Sequence, residues 1–182
     1  MKPIYFDLDF GITCIDTRHM RDDFVAAYLI EDNGCVAFVD TGCYLSVPTL
    51  LATLDEKNIK REQVDYIILT HIHLDHAGGA GALIKHLPNA KVYVHEYGAN
   101  HLIDPSKLRA GVIGVYGELF FKQFLGDLIP IAKDKIIIAK DKDEITLGSR
   151  VLKFIDTLGT LAIMCAFGMK NRAVFLVVIP WA

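Results

Sequence analysis

Three histidines and an aspartate stand at positions 71, 73, 75 and 76, inside the run Thr70-His71-Ile72-His73-Leu74-Asp75-His76-Ala77-Gly78-Gly79. The chain holds seven histidines in all, so three within six positions is a concentration that packing does not explain. Imidazole nitrogen and carboxylate oxygen are the donors a zinc-like divalent ion prefers. The run follows the apolar stretch Tyr66 to Leu69, which reads as a short strand, and a strand end is a stiff platform for a ligand loop. In extended backbone His71 and His73 project to the same side, and a turn at Asp75-His76 can aim two more donors at a neighbouring position. The competing explanation is a polar loop whose histidines bond only to water or backbone. The density of donors weighs against it.

The rest of the sequence describes what surrounds this loop. At 182 residues and an allowance of about 150 per domain, one globular unit is expected. A hydrophobic content of 52% with ten Phe, seven Tyr and one Trp supplies a core and excludes general disorder. Nineteen Lys plus Arg against twenty-two Asp plus Glu leave a net charge of -3 and no block of like charge, so a nucleic-acid partner is not expected. Asp7 interrupts the N-terminal apolar residues, and no run of about 18 apolar residues occurs, so neither a secretory leader nor a membrane span is expected. The expectation is a cytoplasmic protein. Cys14, Cys35, Cys43 and Cys165 form no Cys-x-x-Cys pair and are expected to be buried free thiols.

Strands are predicted over Ile4 to Leu8, Ile12 to Asp16, Val25 to Ile30 and Cys35 to Val39, with a tight turn through Asp32-Asn33-Gly34 joining the last two. A helix should follow, with Pro48 in its first turn, Leu50, Leu51 and Leu54 on one face, and Lys57-Asn58 at its end. Further along, Gly78 to Leu87 is predicted helical, Val92 to Val94 a strand, and Tyr97 to Leu128 mostly helical with divisions at Gly111, Gly114 or Gly117. Ile136 to Ile138, Glu144 to Leu147 and Val151 to Ile155 read as strands. The order mixes strands and helices throughout, an α/β or α+β pattern.

The loop matches the His-x-His-x-Asp-His signature, and the chain resembles the metallo-β-lactamase superfamily of metal-dependent hydrolases. Asp40-Thr41-Gly42 after an apolar strand resembles the Asp-x-Gly turn of that family, and the likeness runs from about Ile12 to Asp156. The resemblance implies an αββα four-layer sandwich with a metal site at one edge, between two sheets. It makes His71 and His73 ligands of a first metal, and Asp75 and His76 ligands of a second, with Asp75 also the catalytic candidate. Asp40 would brace the loop from behind. It further implies two zinc ions, with iron or manganese also compatible, and a small-molecule ester, thioester, lactam or phosphoester as substrate. The resemblance does not choose among them, because the loops around a cleft set the substrate.

Other residues carry plainer readings. His19, His86, His95 and His101 match no ligand position of the family and are expected on the surface or satisfied in the interior. Tyr97, Arg109 and Tyr116 could line a cleft, although packing is the commoner role for isolated residues of these types.

Three ligands that complete the family's site are missing. They are a His in a Gly-His segment, a bridging Asp in a Gly-Asp segment and a final downstream His. No histidine follows His101 and no acidic residue follows Asp156. Where the family shows Asp-Thr-Pro-Gly-His, the chain reads Asp156-Thr157-Leu158-Gly159-Thr160, and only Lys170 and Arg172 are charged in the 24 residues that follow Leu158. Residues 1–158 are therefore read as the family-like domain and residues 159–182 as an apolar tail, leaving the fold's C-terminal part incomplete. A frameshift is the favoured origin of this break, with divergence as the alternative. Back-translated with free codon choice, the tail in a neighbouring frame permits Gly-His-Ala-Gly-His-His, then Asp-Glu-Lys, then Phe-Ser-Gly-Asp-Thr-Leu-Gly. The apolar runs Leu161 to Met169 and Val174 to Ile179 could still add strands. A hydrolase with an impaired site is the reading carried forward, against a non-catalytic metal-binding or interaction module and a pseudogene product.

Overall fold

The computed structural model describes residues 2–157, 164–169 and 172–176. The chain opens as an antiparallel meander of β1 (Tyr5–Leu8), β2 (Ile12–Asp16), β3 (Ala26–Asp32) and β4 (Cys35–Val39), each pairing with the next. Connections through helices then change the pairing. Helix α1 (Val47–Glu56) leads to β5 (Val64–Ile68), and α2 (Leu74–Ala77) and α3 (Ala80–Leu83) lead to β6 (Lys91–His95). Next, α4 (Glu96–Ile103), α5 (Ser106–Tyr116) and α6 (Glu118–Phe120), with a wide helical turn over Phe121–Leu125, lead to β7 (Ile136–Ala139). From β4 to β7 every neighbour is parallel, as crossovers through helices require. The seven strands lie in sequence order in one sheet, while β8 (Glu144–Leu147), β9 (Arg150–Thr157), β10 (Met164–Met169) and β11 (Arg172–Leu176) form a second, antiparallel one.

Alternation along the strands decides which layer each side chain serves. Val36 and Phe38 of β4 pack with Leu50 and Leu54 of α1 and Leu83 of α3, in a core that also takes Leu29, Ile67 and Val94. Ala37 and Val39 of the same strand face the other way and pack with Ile68, Tyr93, Leu147, Leu152 and Phe154, where the two sheets meet. Helices, sheet and sheet are thus three layers of the expected sandwich. Among the described residues no helix follows β9, so the fourth layer has no described counterpart. The backbone of both apolar runs of the tail does carry strands, β10 and β11. The side chains of the tail, the thiol of Cys165 and the segment from Leu158 to Ile163 lie outside the described residues.

Several elements differ from the sequence reading. The helix expected over Gly78 to Leu87 is one short helix (Ala80–Leu83) and a 3-10 turn (Ile84–His86), and a further short helix, Leu74–Ala77, stands before it inside the histidine run. The reason is tertiary: the Gly79 N–H donates to the Gly42 carbonyl at 2.9 Å, outside any helix. The long helical stretch breaks after Ile103 and at Gly117, while Gly111 and Gly114 lie inside α5. Cys14, Cys35 and Cys43 are free thiols, but only Cys43 is fully buried.

Phe154 joins the two sheets, 1% exposed, with its ring edge-on to Tyr93 at 5.8 Å between centroids. Phe154→Leu keeps the site apolar but loses the ring contact and changes its shape. The expected cost is about 1.5 kcal/mol, read as a lower urea midpoint at unchanged slope.

Candidate metal centre

Parallel strands present their carboxyl ends along one edge, the usual place for a ligand site in an open sheet. Here Asp40 follows β4, Thr70 and His71 follow β5, and His95 closes β6. The turn after β4 is fastened to the histidine loop by the backbone. Thr41 N–H donates to the His76 carbonyl at 2.7 Å, and the Thr41 hydroxyl donates to the same oxygen at 2.9 Å. With the Gly79 bond to Gly42, these contacts fix the C-terminal side of the loop. A Cβ on Gly79 would stand 2.8 Å from the Cys43 carbonyl oxygen, so the glycine permits the close approach.

Asp40 is the hub. It is 2% exposed, with φ of 59°. Its Oδ1 accepts from the Thr70 N–H at 2.9 Å, and the Thr70 hydroxyl reaches Oδ1 and Oδ2 at 2.9 and 2.8 Å. Oδ2 also lies 2.8 Å from His76 Nδ1, and the Thr70 hydroxyl oxygen lies 3.0 Å from His71 Nδ1. Bonding capacity then assigns the protons. The single Thr70 hydroxyl proton goes to the carboxylate, so that oxygen accepts from His71 Nδ1–H, and His76 Nδ1–H donates to Asp40 directly. One carboxylate therefore sets the tautomer of two histidines and leaves both Nε2 lone pairs for another group.

The rings stand close together. His71 and His76 have centroids 4.2 Å apart, and His71 and His73 lie edge-on at 4.8 Å. An Asp75 oxygen lies 3.6 Å from His76 Nε2. One donor atom each from Asp40, His71 and His76 falls within 4.8 Å of the others. Asp40 already spends its oxygens on Thr70 and His76, so it braces the group, and His73 and Asp75 extend the cluster toward solvent. His71 is buried, Asp75 and His76 are half-buried, and His73 is exposed.

The two buried imidazoles titrate in opposite directions. Burial, and next the neighbouring His76, push His71 down to about 4. For His76 burial also opposes charge, but the hydrogen bond and charge of Asp40, with the charge of Asp75, outweigh it and raise its pKa. As pH falls, a proton entering the cluster therefore goes to His76 Nε2 before it goes to His71.

A pH dependence follows. His71 has a folded pKa of about 4 against an unfolded value of about 6.5, so between these pH values the unfolded chain binds a proton that the folded chain refuses. Stability from His71 is full above about pH 6.5 and is lost as pH falls toward 4, about 3 kcal/mol in total. His76 works in the opposite sense, favouring the fold at low pH and losing that contribution as pH rises through its raised pKa. The contrast between wild type and His71→Gln isolates the first effect. In chelator, the wild type should lose about 3 kcal/mol more than the variant between pH 7 and pH 4. Parallel denaturation curves would contradict the assignment.

The remaining candidates lie apart from this cluster. His86 is exposed. His95 is 6% exposed, accepts the Tyr97 N–H at 3.3 Å and stacks on Phe154 at 6.4 Å. His101 is half-buried beside Ile72, Leu74 and Leu102. Arg109 pairs with Asp127 at 2.9 Å and lies over the Phe121 ring, a packing role, and Tyr97 and Tyr116 are largely exposed. The sequence reading gave Thr70 no role of its own and expected His19 on the surface or satisfied in the interior. Thr70 adjoins the histidine run, and a hydroxyl residue between strand and ligand is a signal that could have found it. Nothing in the sequence around His19 marks it, yet its ring is buried and its Nδ1 has no hydrogen-bond partner.

Comparison with known proteins bears on the family. The chain is 38% identical over 81 residues to a hydroxyacylglutathione hydrolase of Aeromonas salmonicida, a match covering 44% of this chain and 29% of that protein. It thus spans less than a third of that relative. A subclass B3 metallo-beta-lactamase from a soil metagenome superposes with a TM-score of 0.70 at 22% identity, over 96% of this chain and 60% of the other. An archaeal metallo-beta-lactamase superfamily protein from Sulfolobus tokodaii superposes at 0.63 with 25% identity, over 79% of this chain and 54% of the other. The family model of the metallo-beta-lactamase superfamily matches residues 20–176, running through the histidine loop and past Thr157. With that span of sequence and this arrangement of sheets, the chain belongs to the metallo-beta-lactamase superfamily, a family of metal-dependent hydrolases.

Proposed function

We propose that this chain is the metal-binding part of a hydrolase of small-molecule esters or thioesters, in which His71, His73, Asp75 and His76 hold divalent ions. The observation that carries the reading is the Asp40 hub, which holds His71 and His76 in the tautomer with Nε2 unprotonated. Neutral nitrogen and carboxylate oxygen donors suit zinc first, with iron or manganese also compatible. The donor set fits two ions, His71 and His73 serving one and Asp75 and His76 the other. When bound, such ions lower the pKa of water toward neutrality and polarise the carbonyl to be attacked. The protein's own part is positional. Asp40 and Thr70 orient the imidazoles, and Asp75, beside His76 Nε2, adds the negative charge that draws a cation to that side. The thioester reading rests on the relatives named as hydroxyacylglutathione hydrolases, and lactams or phosphoesters are the other substrate classes of the superfamily.

The chain supplies half of such a site. Within these 182 residues no histidine follows His101 and no acidic residue follows Asp156, so this stretch of sequence lacks donors that would close the site from downstream, and on its own it is expected to hydrolyse poorly. Even loss of a group that only supports a ligand costs about 10–100-fold in affinity or activity. The same observation supports a second reading, a metal-binding module without catalysis. Elemental analysis after dialysis should find fewer than two zinc ions per chain, with little thioester hydrolysis. Two retained ions with brisk hydrolysis would contradict the impairment. Sequencing the gene around codon 158 tests the frameshift origin. If the restored frame encodes Gly-His and Gly-Asp segments, the longer chain should bind two metals and hydrolyse an activated thioester, and if it meets a stop codon the module reading leads.

A further inference from the structure

Residues 17–25 join β2 to β3 in a loop held at its neck. Asp16 takes the Arg18 N–H on Oδ1 at 2.8 Å and the Asp23 N–H on Oδ2 at 3.1 Å. The Thr17 N–H and hydroxyl both donate to the Val25 carbonyl, at 3.0 and 2.7 Å. Arg18, Met20 and Asp23 have positive φ, of 52°, 61° and 54°, which turns the chain sharply on both sides of His19. Met20 and Phe24 are about half exposed, at 52% and 51%, whereas His19 in the same loop is only 7% exposed.

A buried imidazole with an unpartnered nitrogen is uncommon, since a buried polar group is normally satisfied. The Phe24 ring stacks at 6.4 Å from the ring of His19, and the charges of Asp75 and His76 act on that ring. Burial favours the neutral ring, Asp75 acts against burial, and His76 acts with it. The loop also abuts the turn that carries Asp40, because a Cβ on Gly42 would meet Thr17 Cβ at 2.9 Å.

We propose that His19 is a further nitrogen ligand of the metal centre, on the side of Asp75 and His76. The proposal rests on the metal-site reading above and supplies what that reading leaves open. Within these 182 residues no His, Asp or Glu follows Asp156, so an added donor of these types from this stretch of sequence lies upstream. His19 is a buried imidazole outside the motif, within the field of two motif residues, with a nitrogen that has no partner. It lies outside the tight Asp40, His71 and His76 group, so it would add a donor from the β2–β3 loop that abuts the Asp40 turn.

The test uses the full chain stripped with chelator and titrated with Co2+, whose visible absorption reports nitrogen donors. His19→Ala and His19→Gln are compared with wild type and with His86→Ala, a change at an exposed histidine. The expected result is a loss of at least ten-fold in Co2+ affinity and an altered spectrum in both His19 variants, with His86→Ala unchanged. In the wild type, Zn2+ should shift the His19 ring nitrogens in 15N spectra, a readout that stands even if the variants fold poorly. Wild-type affinity and spectrum in both variants, or unshifted His19 nitrogens, would overturn the assignment while leaving the metal-site reading intact. A wild-type chain that binds no Co2+ would overturn the metal-site reading, and this proposal with it.

Discussion

Replacing Asp40 by alanine is expected to cost about 3–5 kcal/mol of folding stability, the largest single effect in the molecule. Asp40 is 2% exposed, and its two oxygens serve the Thr70 N–H, the Thr70 hydroxyl and His76 Nδ1. Truncation removes the acceptor of the buried Thr70 N–H and hydroxyl and of the half-buried His76 Nδ1–H, and the hydroxyl keeps only His71 as a neighbour. The backbone adds a further cost, since φ of 59° is tolerated by aspartate and asparagine better than by alanine. Asp40→Asn separates the two roles. Its amide oxygen can still serve Thr70, but its NH2 faces the proton of His76 Nδ1, so stability should drop less while metal affinity drops by about 10–100-fold. Urea denaturation in chelator measures the first effect and competition titration with a chromophoric chelator measures the second. Equal metal affinity in wild type and Asp40→Asn would remove Asp40 from its role as orienting group.

Gly42→Ala should cost about 4 kcal/mol, combining left-handed backbone strain with overpacking. Gly42 has φ of 64°, and an added Cβ would stand 2.5 Å from Ser46 Oγ and 2.7 Å from Ser46 Cβ. Ser46 is buried at the start of α1, so the turn cannot open without moving that helix. Because the Gly42 carbonyl accepts the Gly79 N–H, the strain reaches the histidine loop. Adding Ser46→Gly to the variant removes the nearest obstacle and should restore part of the loss. A cost below about 1 kcal/mol for the single change would show that the turn is looser than its contacts imply.

The two kinds of information in this sequence were readable to different depths. Strands β2 and β4 have the predicted bounds because their apolar runs end at strong turn residues. The region from Gly78 to Leu87 could not be read correctly, since its periodicity is helical while the break at Gly79 depends on a carbonyl 37 positions upstream. The histidine loop announced its donors through their density. Its supporting chemistry was only half visible: Asp40 was found by resemblance, but the Thr70 relay to His71 depends on a side-chain direction that no sequence pattern gives. His19 was assigned a bland role for a similar reason. Its burial comes from three left-handed residues in the same loop, Arg18, Met20 and Asp23, none of them glycine, so the usual mark of a sharp turn is missing.

The central claim is that the cluster around His71 and His76 is built to hold a divalent metal. Isothermal titration of the chelator-stripped chain with Zn2+ tests it most directly, run beside the double variant His71→Ala/His76→Ala with circular dichroism as a check on folding. The account predicts Zn2+ binding in the wild type and no binding in the double variant. A folded wild type that takes up no Zn2+, or a folded double variant that binds it as well as the wild type does, would contradict the account.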